Sequence, residues 1–174
     1  MDLEKLKYPI GQFAMPDVFD QKQVDAWISE IEALPGQIKK TTENLTDEEL
    51  NQPYRPGGWT LRQVVHHVPD SHLNAYIRFK LAIPEDVPVI RPYDEERWAE
   101  TEEAKNGNIQ LSLDLLAGLH TRWVAFLKTL RIEDYERKYI HPAYTQELTL
   151  ANMLGMYAWH GKHHLAHITN ALTK

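Results

Sequence analysis

Apolar residues recur at three- and four-residue spacing along four long stretches of the chain, and polar capping residues or breakers separate them. The first stretch runs through Val24, Trp27, Ile28, Ile31, Leu34, Ile38 and Leu45. Asp20 precedes it as an N-cap, with Gln23 three residues on as a capping-box partner. The spacing predicts a helix over roughly 21–45 that Pro35-Gly36 kinks or splits in two. The second stretch opens at the cap Thr60, buries Leu61, Val64, Val65, Val68, Ala75, Tyr76, Phe79 and Ile83, and stops at Pro84. Pro69 lies inside it and predicts a bend. The third, over roughly 109–130, sets Leu113, Leu116, Leu119, Trp123, Phe126, Leu127 and Leu130 on one stripe. The fourth starts at the cap Thr149 and runs almost to Lys174.

The connecting segments read differently. Residues 1–19, interrupted by Pro9, Gly11 and Pro16, predict an extended arm whose aromatics dock on the body or on a second subunit. Thr46-Asp-Glu-Glu-Leu50 forms one short turn, and Pro53–Trp59 a turn-rich loop. Residues 84–108 begin proline-rich and turn acidic, predicting a loop with a short exposed helix near 94–104. Residues 131–148 predict a small hairpin or irregular loop. Four long amphipathic helices make the fold class all-α, a four-helix bundle with an extended N-terminal arm, in a single domain over 1–174. In such bundles metal sites form from inward-facing residues on neighbouring helices.

Composition narrows the chemistry. The 174 residues carry a net charge of −6 with scattered Lys and Arg, which argues against nucleic acid as a partner. There is no cysteine, so a transition-metal site must use His, Asp or Glu. The first residues lack the features of a secretory signal and no apolar run is long enough to cross a membrane, so the expected location is the cytoplasm.

Four of the nine histidines fall in Trp159-His-Gly-Lys-His-His-Leu-Ala-His167. His160 and His164 are four apart, so they share one helix face and can share one divalent ion. The spacing is that of the zincin helix, but Gly161 follows His160 where a zincin has its general-base glutamate; a peptidase of that type is disfavoured. A second cluster, His66-His67-Val-Pro-Asp-Ser-His72, can supply a third ligand. His72 lies centrally on the apolar stripe, His67 about 120° from its centre, and His66 points further away, toward solvent. Periodicity leaves His67 and His72 in competition. Asp70, Ser71 and Asn74 are nearby candidates to orient the imidazoles, Tyr157, Trp159 and Trp59 read as packing, and Arg55 as a surface residue.

Trp59-Thr-Leu-Arg-Gln-Val-Val-His-His67-Val-Pro-Asp70, followed by His160-Gly-Lys-His-His164-Leu-Ala-His-Ile168, resembles the DinB-like superfamily over nearly the whole chain, most closely its YfiT type of metal-dependent hydrolases related to bacillithiol S-transferases. The resemblance implies a four-helix bundle with one divalent ion, zinc or nickel, on His67, His160 and His164, and a homodimer. It also implies a small-molecule substrate, with hydrolysis as the first expectation. Thiol S-transfer with a low-molecular-weight thiol such as bacillithiol is the second, and a metal that only staples the bundle, or a non-catalytic interaction module, is the third. It names no general acid or base.

Overall fold

A computed structural model describes residues 3–16, 18–144 and 147–173. In chain order the helices are α1 (Leu3–Lys7), α2 (Gln21–Thr42), α3 (Asp47–Leu50), α4 (Leu61–Ala82), α5 (Glu95–Ala99), α6 (Glu102–Asn106), α7 (Ile109–Leu127) and α8 (Leu150–Leu172). A 3-10 turn at Ile132–Glu136 and an antiparallel pair, β1 (Lys138–Ile140) with β2 (Glu147–Thr149), lie between α7 and α8. The segment expected as a hairpin or irregular loop is thus a hairpin; its residues 145 and 146 lie outside the described residues. No described helix is long and apolar enough to cross a membrane.

The capping residues act as their side chains dictate. Thr60 and Thr149 each accept from the backbone N–H three residues on, and Gln63 and Asn152 return the bond, closing reciprocal boxes that satisfy helix-start donors. Asp20 accepts from the N–H of Gln23 at 2.8 Å, but the Gln23 side chain does not return a bond to Asp20 among the described residues, so α2 has a cap without a box. α2 ends at Thr42, because the following residues turn to let Thr46 cap α3. α7 ends at Leu127, whose carbonyl accepts from the Leu130 N–H in a tighter turn at 3.1 Å and from the buried Tyr135 hydroxyl at 3.0 Å. The expected acidic helix is two short ones, broken where Thr101 caps α6.

Neither internal proline breaks its helix. α2 runs unbroken through Pro35 and α4 through Pro69. A proline removes the donor to the carbonyl four residues back, so in α2 it frees Ile31 O. His120 Nδ1 lies 2.6 Å from that oxygen and replaces the missing donor, which lets the helix continue.

The four long helices are α2, α4, α7 and α8, and α2 and α4 each pack against both α7 and α8. The chain-consecutive pairs α2/α4 and α7/α8 therefore sit across the bundle from one another. The core divides in two. One half gathers around Trp27, Ile31, Phe79, Trp123, Leu150 and Leu154, the other around Leu34, Ile38, Leu61, Val64, Leu116 and Ile168. Burying each such side chain stabilises the fold by about 1.5–3 kcal/mol. Between the halves lies a layer of histidines, contributed by α4, α7 and α8 (His67, His72, His120, His160, His164 and His167).

Candidate metal centre

His67 on α4 and His160 and His164 on α8 bring one ring nitrogen each to within 4.8 Å of one another. His67 Nε2 and His160 Nε2 are 3.2 Å apart. This is a spacing at which one divalent ion could accept lone pairs from all three. One helical turn separates the two α8 rings, and the α4–α8 contact supplies the third.

Gly161 explains why no glutamate follows His160. A Cβ there would run into the Leu34 side chain of α2, so the position faces the α2 seam and a larger residue needs Leu34 to shift. Packing against Leu34 disfavours a glutamate at this position.

The electrostatics favour the ligand form of the rings. Burial pushes His67 down to about 4, and holds His160 and His164 well below the ordinary imidazole value, with His67 and His160 respectively the next contributors. Near pH 7 all three are neutral and each has a nitrogen lone pair to offer.

The remaining histidines are placed differently from the sequence reading. His72 sits on the bundle axis, fully buried, with Nδ1 2.9 Å from His120 Nε2 and Nε2 3.1 Å from His160 Nδ1. Both of its nitrogens are engaged, so it stands behind the cluster rather than in it. His66, expected to face solvent, is buried: its Nε2–H donates to Gly107 O at 3.3 Å and its Nδ1 is 2.7 Å from Ser112 Oγ. α6 and α7 cover that flank of α4, which a wheel drawn for one helix does not reveal. His167 Nδ1 lies 3.4 Å from His164 Nδ1 and its Nε2 3.0 Å from Lys7 O.

Among the described residues no carboxylate pairs with His67, His160 or His164, although Glu103 Oε1 lies 3.5 Å from His66 Nδ1. Asn74 donates to the backbone carbonyl of Asp70, and Ser71 Oγ is 3.5 Å from the Tyr157 hydroxyl. Asp70 is pushed up to about 6, by burial and then by the charge of Glu103. Arg55 bonds its own loop, at Tyr54 Oη and Pro56 O.

A cavity of about 790 Å³ opens over the cluster. His67, His160 and His164 form part of its wall, with Trp59, Tyr157 and Arg78. Phe13 and Met15 of the arm line it too, and Trp159 Nε1–H donates to Gly11 O at 3.2 Å, so the arm docks on its own body. Sequence reasoning missed Arg78 and His120. A signal existed for both: each is a titratable residue on an apolar stripe, Arg78 between Ala75 and Ala82, His120 between Leu116 and Trp123.

The family model of the DinB superfamily matches residues 22–168. The chain belongs to the DinB superfamily. Within it, the "Putative metal-dependent hydrolase YfiT" of Bacillus subtilis is 48% identical over 164 residues, 94% of this chain and 92% of its own. A relative from Bacillus cereus strain B4264, named as a metal-dependent hydrolase in the same provisional way, is 51% identical over 168 residues, 97% of this chain and 96% of its own. The solved structure of YfiT superposes with a TM-score of 0.94 at 47% identity, covering 97% of both chains, and is described as having an unusual four-helix bundle topology.

Proposed function

We propose that this protein is a metal-dependent hydrolase whose one divalent ion per chain, zinc or nickel, is held by His67, His160 and His164. The observation that carries the proposal is the convergence of three neutral imidazoles, two buried and one half-buried, at the wall of a cavity large enough for a small-molecule substrate. Three protein ligands leave room for water or substrate, the arrangement of catalytic rather than structural zinc sites. An ion held there supplies a Lewis acid toward a carbonyl or phosphoryl oxygen and brings the pKa of a bound water toward about 7. The chain's own residues do the rest: Trp59 packs tilted over His67 with ring centroids 4.8 Å apart and, with Phe13, screens the cluster from bulk water. The names of the relatives support the same reading.

Metal content measured by mass spectrometry on untagged protein, purified without chelator, tests it. About one zinc or nickel per chain, together with ester or amide hydrolysis that disappears on chelation and returns with the metal, is the expected result. Metal-free protein that takes up no ion on dialysis would refute the site.

A second reading is thiol S-transfer. Three imidazoles can hold a substrate thiol as thiolate, and with no cysteine in the chain the thiol arrives with a cosubstrate such as bacillithiol. On either reading the protein acts in the cytoplasm as a homodimer, the dimer being what the family resemblance implies.

A further inference from the structure

We propose that Arg78 is the recognition site for a carboxylate carried by the substrate, at a distance from the bond that reacts. The inference rests on the cavity being the substrate site proposed above. Arg78 is 8% exposed and lines the cavity, yet no carboxylate lies within ion-pair distance of it among the described residues. Its two hydrogen bonds are long and go to uncharged oxygens, the Tyr157 hydroxyl at 3.4 Å and Arg91 O at 3.5 Å. Its Nε–H has no partner. A buried guanidinium without a counter-ion is costly, and its planar fork of donors matches a carboxylate. The other charged group on the cavity wall, Glu95, is exposed and leaves the inner wall cationic. Arg78 lies three turns beyond His67 on α4, about 16 Å along the axis, and its side chain leans back toward the cluster. The favoured substrate is therefore a small organic acid whose reacting ester, amide or thiol end is several bonds from its carboxylate.

Two measurements test this. In the zinc-loaded protein, kcat/KM for mono(4-nitrophenyl) glutarate should exceed that for neutral 4-nitrophenyl butyrate by about tenfold or more. Arg78→Met should erase the preference, and Arg78→Lys should keep part of it. In the metal-free protein, glutarate binding followed by calorimetry should vanish in Arg78→Met, with circular dichroism confirming that the variant folds. Glutarate binding without hydrolysis of either ester would sink the hydrolase reading and keep the anion site. Equal hydrolysis of both esters with no glutarate binding would overturn the anion site and keep the hydrolase.

A separate observation carries a second inference: two backbone carbonyls decide which nitrogens the α8 histidines present. We infer that His72, His120 and His167 are positioning residues that lock His160 and His164 as Nδ1–H tautomers, with the Nε2 lone pair facing the cluster. A carbonyl oxygen only accepts, so the 2.6 Å contact with Ile31 O puts the proton of neutral His120 on Nδ1 and leaves Nε2 as an acceptor. His72 must then donate from Nδ1 to His120 and accept at Nε2, which requires His160 to donate from Nδ1. The second chain starts at Lys7 O, at the end of α1. His167 donates to it from Nε2, so its Nδ1 accepts from His164 Nδ1–H. Ile31 O is available because of Pro35, and Lys7 O because a helix end leaves its last carbonyls without helical donors.

Long-range nitrogen–proton correlation spectra of the metal-free protein read these tautomers directly. The expected pattern is Nδ1–H on His120, His72 and His160 and Nε2–H on His167; Nε2–H on His120 would overturn the inference. Competition against a chelator should show His72→Leu weakening zinc about 10- to 100-fold. His72→Gln, which keeps an acceptor for His160, should recover most of the loss. Equal loss in both variants would mean that His72 only fills space. Pro35→Ala restores a competing N–H to Ile31 O and should weaken zinc by less than about tenfold while leaving the fold intact.

Discussion

The buried histidines divide into two kinds. His66 and His120 have both nitrogens engaged by the protein, at Gly107 O and Ser112 and at Ile31 O and His72. His67 and His160 instead point Nε2 at each other across 3.2 Å, with His164 close by. The difference teaches that burial does not identify a ligand here, since His66 and His120 are the most deeply buried of the five and His160 is only half-buried. What separates the groups is whether nitrogens of several rings converge: His163 Nδ1 also lacks a partner, but it is not among the three that meet.

Four perturbations test that division, beginning with the largest effect. His67→Ala, His160→Ala and His164→Ala should each abolish metal retention through gel filtration, while His66→Ala and His163→Ala retain about one ion per chain. Retention by a ligand variant, or loss in His66→Ala, would erase the distinction.

Next in size is Gly161→Glu, which completes the zincin-like spacing on paper. It drives a side chain into Leu34, so it should lower stability by about 1–3 kcal/mol or more in thermal unfolding and produce no peptidase. A stable, proteolytic variant would contradict the packing described for α2 and α8.

Acid should act in a similar range. With folded-state values held below the ordinary 6.5, the unfolded chain binds more protons between pH 6.5 and 4, so stability rises with pH through that window. The contribution is fully present above 6.5 and lost as pH falls toward 4, on the order of 3 kcal/mol for His67 alone. Urea unfolding of metal-free protein at pH 7 and pH 5 checks this; a midpoint that does not move would show that the rings are not shielded.

The smallest effect belongs to the closed group. His66→Ala should cost about 1–3 kcal/mol of stability, through the partners it leaves unsatisfied, without changing zinc affinity in chelator competition.

Much of this was legible in the sequence. The four helices and their caps followed from periodicity and from Thr60 and Thr149, because those are local signals. The choice between His67 and His72 was not legible from the wheel. The wheel finds the stripe that faces the bundle axis, and His72 does lie there, meeting His120 and His160. The cluster forms at the seam between α4 and α8, where a shoulder position such as His67 is the one that reaches across. The resemblance named three residues that the fold brings together, where periodicity left two candidates open. Pro35 was read as a breaker for the same reason: the residue that replaces its missing donor is His120, eighty-five positions further on.

The distance in sequence between His67 and the α8 pair also has a consequence for how the protein is made. A nascent chain that has reached α7 has only one of the three ligands, and α4 then lacks one of the two helices that flank it. Tight capture of an ion must therefore wait until the final helix has left the ribosome and docked. On the proposed site, loading would be coupled to docking of α8, and a product truncated before that helix would hold a divalent ion poorly.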